Sequence, residues 1–371
     1  MAGMMFVAER SLLLNRLRRV YVPPEKKDTS ELNPFEGYVL IRAKTSHVSL
    51  SGHDYAFDVT TRLEVAPTAE GSLCVRGNRI IEALRLLPEG SVSVTQDRDT
   101  LRLETKGVVL EIVGRAAADY PSVFEPPSGG LLLPFSKVWS LLRRTYYAAY
   151  VEPNHPSLGD IVLQGKKREL KAVTSDGPQL AVAILSLAED ISLDIMVSRR
   201  AASWIVSFPH DEGAQVRIVD SDRIFFVLSD TVIMAKKTSR VFPPCPMKPA
   251  VPWRSSALLP RARMEFALKA ARLSISEDLV IMEFRATEVV LSSNLKDRGS
   301  ARVEIETILE GEPAVIEVRD EYLASALEAI ETDDVRVAYS EKTGRLVLLP
   351  PDSTGSFSLM PANRVKNSQI S

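Results

Sequence analysis

The sequence repeats itself about every 120 residues, and that period constrains the fold more than any local motif does. Three stretches share one pattern: HVSLSGHDYAFDVTTRLEV from His47, ELKAVTSDGPQLAVAILSL from Glu169 and EVVLSSNLKDRGSARVEIE from Glu288. Each alternates apolar and polar residues, breaks at a polar turn and alternates again, as a hairpin with one buried face does. Each is followed by a strand that runs into a helix: SLCVRGNRIIEALRLLPEG, DIMVSRRAASWIVSFPHDEG and VIEVRDEYLASALEAIETDD. Val75, Val197 and Val318 hold the same place in these, 122 and 121 residues apart. A further helix opens each unit: ERSLLLNRLRRV from Glu9, SKVWSLLRRTYYAA from Ser136 and RARMEFALKAARL from Arg261. Their apolar residues recur at three- and four-residue spacing, as on a helix with one packed face. Proline-rich linkers at 118–130 and 242–253 separate the units, because proline removes donors and favours extended backbone. The pattern predicts an α+β chain of three tandem domains, 1–126, 127–253 and 254–371, each with two helices packed on antiparallel sheets. A two-domain enzyme with an elaborate second half is the alternative architecture.

The chain has 371 residues, 45% hydrophobic and 25% charged, which is ordinary for a folded soluble protein. No run approaches the roughly 18 apolar residues that cross a membrane. The opening MAGMMFVAER has acid and base directly after a short apolar stretch, so no signal peptide is expected. Cys74 and Cys245 lie far apart, which suits a reducing cytoplasm and offers no metal spacing. A net charge of −2 argues against a surface that is basic all over. The base is instead gathered on the helices: Arg10, Arg16, Arg18, Arg19, Arg79 and Arg85 in the first unit, Lys137, Arg143, Arg144, Arg199 and Arg200 in the second, Arg261, Arg263, Lys269 and Arg272 in the third. The sixth helix, with Asp320, Glu321 and Glu328, breaks the trend. If the helices share one side, that side is positive and holds phosphates without reading bases.

A search for catalytic chemistry yields little. The four histidines form no HExxH pair and none lies near a cysteine. Asp220 and Asp222 form a DxD that would suit Mg²⁺ in a nucleotide-sugar enzyme, but they fall between two alternating strands, where a turn is expected. Ser175-Asp176-Gly177 lacks the GxSxG of a nucleophile elbow. No catalytic residue, metal site or cofactor is expected.

One set of short motifs has a distinctive order. Pro34-Phe35 ahead of GYVLIRA, the turn LSGHD, LPEG at 87–90, ADYPSV at 118–123, VTSDGPQLAV at 173–182, VFPP at 241–244 and LMP at 359–361 follow one another along the chain. In that order and spacing the sequence resembles the bacterial DNA polymerase III beta subunit (beta sliding clamp) family over essentially its whole length, as a divergent member. The resemblance implies a head-to-tail homodimeric ring of six domains around duplex DNA, with helices lining the hole and sheets outside. It implies a non-catalytic processivity subunit, whose partners are a DNA polymerase catalytic subunit, a clamp-loader ATPase and other clamp-motif proteins. Arg10, Arg16, Arg19, Lys26, Lys27, Arg79, Arg85, Lys137, Arg143, Arg144, Arg199, Arg200, Arg263 and Lys269 are then expected to face DNA.

The resemblance also implies a partner-peptide groove at Leu158, Ser175, Gly177, Leu180, Pro243, Tyr322, Met360 and Pro361. Gln179 stands where the family usually has Arg, Ser358 replaces an apolar groove residue, and Lys248 falls near another. Leu110 and Ile112 are expected on one side of a dimer seam and Leu273 on the other. Arg272 takes a seam position that is usually apolar, where a buried unpaired charge costs several kcal/mol, so either an acid such as Glu111 pairs with it across the seam or the ring is weak. The tail RVKNSQIS runs past the usual end. A specialised paralogue serving repair or a mobile element, a clamp-fold scaffold that no longer closes, and the Mg²⁺-dependent enzyme are the competing readings.

Overall fold

The computed structural model describes residues 3–24, 34–149, 159–210, 213–238, 241–242, 252–273, 278–295, 299–351 and 355–365. One succession of elements occurs three times. The first runs β1 (Met5–Glu9), α1 (Arg10–Val20), β2 (Tyr38–Lys44), β3 (His47–His53), β4 (Phe57–Leu63), β5 (Gly71–Arg76), α2 (Gly77–Leu86), β6 (Ser91–Asp97), β7 (Thr100–Thr105) and β8 (Val108–Val113), with the short β9 (Arg115–Ala116) after it. The second is β10 (Leu131–Pro134), α3 (Phe135–Arg143), β11 (Asp160–Ser175), β12 (Leu180–Ser198), α4 (Arg199–Val206), β13 (Gln215–Asp220), β14 (Arg223–Val227) and β15 (Thr231–Lys236). The third is β16 (Ser255–Pro260), α5 (Arg261–Arg272), β17 (Leu279–Arg285), β18 (Glu288–Leu295), β19 (Gly299–Glu306), β20 (Glu310–Gly311), β21 (Ala314–Arg319), α6 (Asp320–Ala329), β22 (Asp334–Ser340), β23 (Arg345–Leu349), β24 (Phe357–Pro361) and β25 (Asn363–Arg364). The strands β1, β10 and β16 correct the sequence reading, which began each unit with its helix.

Every helix therefore grows directly out of a strand, and the junctions are alike. A helix begins with N–H groups that lack intrahelical partners. Here the first N–H of α1, α3 and α5 donates to the carbonyl of Gly90, Ala214 and Asp333, at 2.8–2.9 Å. The first N–H of α2, α4 and α6 donates to Gly37, Gly159 and Asp278, at 2.9–3.0 Å. The residues before α1, α2, α5 and α6 make no side-chain cap, so the backbone carbonyls stand in for one, whereas Ser198 before α4 also accepts from the Ala201 N–H at 3.2 Å.

The described strands form four sheets, ordered β1-β6-β7-β8, β10-β13-β14-β15-β4-β3-β2-β5-β9, β11-β12-β24-β23-β22-β16-β20 and β19-β18-β17-β21-β25. The chain divides into two compact units, 1–136 with 207–237, and 137–206 with 238–371. The middle repeat is shared between them, because its two sheets are continuous with those of its neighbours. In the first unit β15 pairs antiparallel with β4, Thr231 opposite Thr61. In the second β24 pairs with the first half of β12, Leu359 opposite Leu180.

Helix α1 buries Leu13, Leu14, Leu17 and Val20 on the nine-stranded sheet, where Val48 and Leu50 of β3 face it. Gly52 completes that row, since a Cβ there would meet the Val20 carbonyl oxygen at 1.7 Å. In the second unit Met264, Ala267, Leu268 and Ala271 of α5 and Leu323, Ala326 and Leu327 of α6 share one core with the strands beneath.

Candidate functional site

The basic helix residues divide into two groups. Arg10 donates to the Leu84 carbonyl at 3.2 Å and pairs with Glu89. Arg16 and Arg19 converge on Asp230, in the turn between β14 and β15, with Arg19 at 3.1 and 3.2 Å from its two oxygens. Burial, and then the neighbouring Arg19, lowers the Arg16 pKa from its ordinary value. Arg144 pairs with Glu331 at 3.0 Å. Lys137 donates to the Ser186 carbonyl at 2.8 Å and Arg143 to that of Glu328 at 3.4 Å. These cations are largely spent on holding elements together.

The others reach solvent. Arg79 is 70% exposed beside Glu82, and Arg85 and Lys269 are exposed without an ion pair among the described residues. Arg263 is exposed, lies over the Phe266 ring and donates to the Glu304 carbonyl. Arg199 and Arg200 are half-buried on α4, and Arg199 lines a cleft of about 220 Å³ with Arg143, Tyr146 and Glu328. Lys26 and Lys27 lie outside the described residues.

A second cluster lies in the unit that contains α5 and α6. The turn from β11 to β12 is closed by its own side chains. Ser175 Oγ accepts from Gly177 N–H at 3.0 Å and donates to the Gln179 carbonyl. Gly177 has φ +97°, the left-handed region that suits glycine. The Gln179 side chain folds back, donating from Nε2 to Asp176 at 3.0 Å, and is 7% exposed. Arg345 donates to the Pro178 carbonyl at 2.6 Å.

Beside this turn, Leu180 packs with Val162, Val173, Val182, Val347 and Phe357, fringed by the half-buried Ile184, Met196, Phe242, Leu349 and Leu359. Ser358 is buried and exchanges a hydrogen bond with the Tyr147 hydroxyl. Burial pushes the Tyr147 hydroxyl pKa up. Tyr322 is half-buried under Arg319, and burial, then Asp176, raises its hydroxyl pKa. Met360 is 1% exposed within the α5–α6 core, while Pro361 is half-buried. Leu158, Pro243 and Lys248 lie outside the described residues. Sequence reasoning missed Tyr147, Arg345, Val347 and Phe357, which join this cluster only through the pairing of β12 with β24.

Among the edge strands of the four sheets are β8 and β19. On β8, Leu110 and Ile112 are half-buried, while Val109 and Val113 are 45% and 72% exposed. On α5, which packs against β19, Phe266 is 56% exposed, and Leu273, just past its C-terminus, is 81% exposed. The expectation that Arg272 needs an acid from outside is corrected. Its guanidinium lies 2.7 Å from Asp320, the first residue of α6, where negative charge also favours the helix. Glu111 lies beside Arg102 of its own sheet, 3.9 Å away.

Asp220 ends β13, and Asp222 sits in the tight turn into β14, with Lys237 Nζ 2.7 Å from Asp220. Among the described residues no group of three or more His, Cys, Asp or Glu side chains is placed to hold a metal. No described helix is long and apolar enough to cross a membrane.

Residues 4–124 match the family model of the DNA polymerase III beta subunit, N-terminal domain. The beta sliding clamp of Pseudomonas putida is 23% identical over 370 residues, covering 96% of this chain and 99% of that protein. That of Escherichia coli K12 is 21% identical over 375 residues, with the same shares covered. The DNA polymerase sliding clamp structure of Bacillus subtilis superposes with a TM-score of 0.86 at 18% identity, covering 98% of this chain and all of that one. The DNA polymerase III beta subunit of Thermotoga maritima superposes with 0.85 at 19% identity over the same shares.

Proposed function

We infer that this chain, which belongs to the DNA polymerase III beta subunit family as a divergent member, works as a DNA sliding clamp, a processivity factor with no chemistry of its own. One observation carries the ring. The last strand of the second repeat, β15, pairs with the outer hairpin strand of the first, β4. The last strand of the third, β24, pairs with the corresponding strand of the second, the first half of β12. The same rule leaves over the last strand of the first repeat, β8, and the outer hairpin strand of the third, β19, and each is an edge strand of its sheet. Unpaired edges present rows of free donors and acceptors. A second copy satisfies both at once, β8 to β19 twice, which is a closed head-to-tail dimer.

In that ring the three clamp domains are 1–126, 127–253 and 254–371. Val109, Val113, Phe266 and Leu273 supply apolar surface at the seam, beside Leu110 and Ile112 and with Arg272 neutralised by Asp320. Exposed helix cations such as Arg79, Arg85, Arg263 and Lys269, with the half-buried Arg199 and Arg200 on α4, attract duplex phosphates without base contacts, so the ring slides and its topology retains it. The apolar cluster around Leu180, rimmed by Tyr322 and Pro361, receives a short peptide from a polymerase catalytic subunit or a loader ATPase. The inward-folded Gln179 and the Tyr147–Ser358 bond make this site more polar than an all-apolar pocket. That observation favours a shifted motif preference, as in a specialised paralogue.

The test is retention of the loaded protein on nicked circular duplex. A sliding clamp stays on the circle and is lost when a restriction enzyme linearises it. Equal loss from both, or a protein that stays monomeric at micromolar concentration, would overturn the reading.

A further inference from the structure

The first unit contains a cleft that neither the basic helices nor the peptide site uses. Its volume is about 310 Å³, at the small end of the range in which small-molecule sites fall. It lies on the face of the nine-stranded sheet opposite α1. Strand side chains alternate, so with Gly52 against α1, Ser49 and Ser51 of β3 must point the other way. Cross-strand register then sets Arg42 of β2, Ser49 of β3 and Arg62 of β4 in one row, with Lys44 opposite His47 in the next. The segment Val123–Pro126, with Val227 and Val232, completes the lining.

The charges in this cleft do not cancel. Arg42 is half-buried, and neither it nor Lys44 makes an ion pair with any described residue. Two carboxylates line the space. Asp230 is held by Arg16 and Arg19, and Glu125, 70% exposed, lies 3.4 Å from Arg62. Two adjacent rows thus offer three cations, an imidazole and a hydroxyl, against one loosely held acid. Such a set suits a doubly charged anion better than a single carboxylate. The apolar wall, with Phe124 at its edge, suits a ligand with a flat apolar part.

We propose that this cleft binds a small phosphate-bearing ligand of nucleotide type, its phosphate on Arg42, Lys44 and Arg62 and its ring along the Phe124 wall. The site is separate from the helix cations, and it stands whether or not the chain acts as a sliding clamp.

Calorimetric titration of the full chain with adenosine 5′-monophosphate, pyrophosphate and adenosine tests this. Saturable single-site binding of the monophosphate is expected, with none of adenosine. Affinity should fall about tenfold in Arg42→Gln and severalfold in Lys44→Gln, the size of a lost charge-assisted hydrogen bond. Arg85→Gln, which removes an exposed helix cation, should leave it unchanged. Lys44 is exposed, so its variant decides the matter if Arg42→Gln melts early. No saturable heat with the monophosphate up to about 5 mM, an affinity near −3 kcal/mol or weaker, would overturn the proposal. So would pyrophosphate binding without monophosphate binding, or an Arg85→Gln loss as large as that of Lys44→Gln.

Discussion

Asp230 stands 214 and 211 residues from the two arginines it holds, and nothing in its local sequence announces that role. The Arg16 and Arg19 side chains are only 19% and 24% exposed, so removing the carboxylate leaves two neighbouring cations poorly solvated. Asp230→Asn is expected to cost about 2–3 kcal/mol, read as a lower urea midpoint for the transition of the first unit. An unchanged midpoint would mean that the pair of arginines is held otherwise. Cys74 makes a second prediction. It is fully buried, and burial pushes its thiol pKa up to about 12. Since the thiolate is the nucleophile, alkylation of Cys74 at pH 8 should run at least about 100-fold slower in the native protein than in urea. Peptide mass spectrometry separates it from Cys245. At this scale the resemblance motifs also gain physical meaning. Phe35 and Tyr120 meet edge to face at 5.4 Å, and the Tyr120 hydroxyl donates to the Ser51 carbonyl at 3.0 Å. The LPEG turn supplies the Gly90 carbonyl that starts α1.

At the scale of elements, the hairpins were legible and the strands feeding α1, α3 and α5 were not. The hairpins β3–β4 and β18–β19 keep one face in the core over seven or eight residues, long enough for alternation to show. The strands β1, β10 and β16 have only four to six residues before the helix begins, too few to separate their period from that of the helix. The last described strand, β25, is tied down electrostatically. Glu341 accepts from both Arg254 and Arg364, and the Arg254 hydrogen bond is the main cause holding its pKa below the usual carboxylate range. A depressed carboxylate pKa adds stability above the unfolded value of about 4.3 and loses it as pH falls through the folded value. Glu341→Gln should therefore lower the melting temperature near neutrality, with the difference from the native protein closing as the pH is taken from about 7 down to 3. A difference that persists at pH 3 would show that the contact is not ionic.

For the whole molecule, assembly is the decisive property. Light scattering should give twice the chain mass of 41.0 kDa. Leu273 is 81% exposed at the C-terminal end of α5, the helix that packs against β19. In the closed dimer Leu273→Asp places a charge in an apolar seam, at a cost of about 2–3 kcal/mol per seam. The mass at low micromolar concentration should then fall towards 41.0 kDa while the melting of each unit is retained. A Leu273→Asp protein that keeps the double mass would exclude this seam.

The sequence by itself determined the threefold repeat, the hairpins, the amphipathic helices and their excess of arginine, because each is written in residues close together along the chain. Tertiary structure alone decided which arginines remain available for phosphate. Arg10, Arg16, Arg19 and Arg144 find carboxylates elsewhere in the chain, whereas Arg79 and Arg85 lie in the open. It also decided that Arg272 is paired by Asp320, that Met360 lies in the core, and that the middle repeat is divided between two compact units. The reason is common to all of these. Partners separated by tens to hundreds of residues leave no local period, and a charge or an edge strand is satisfied only where the fold brings its partner.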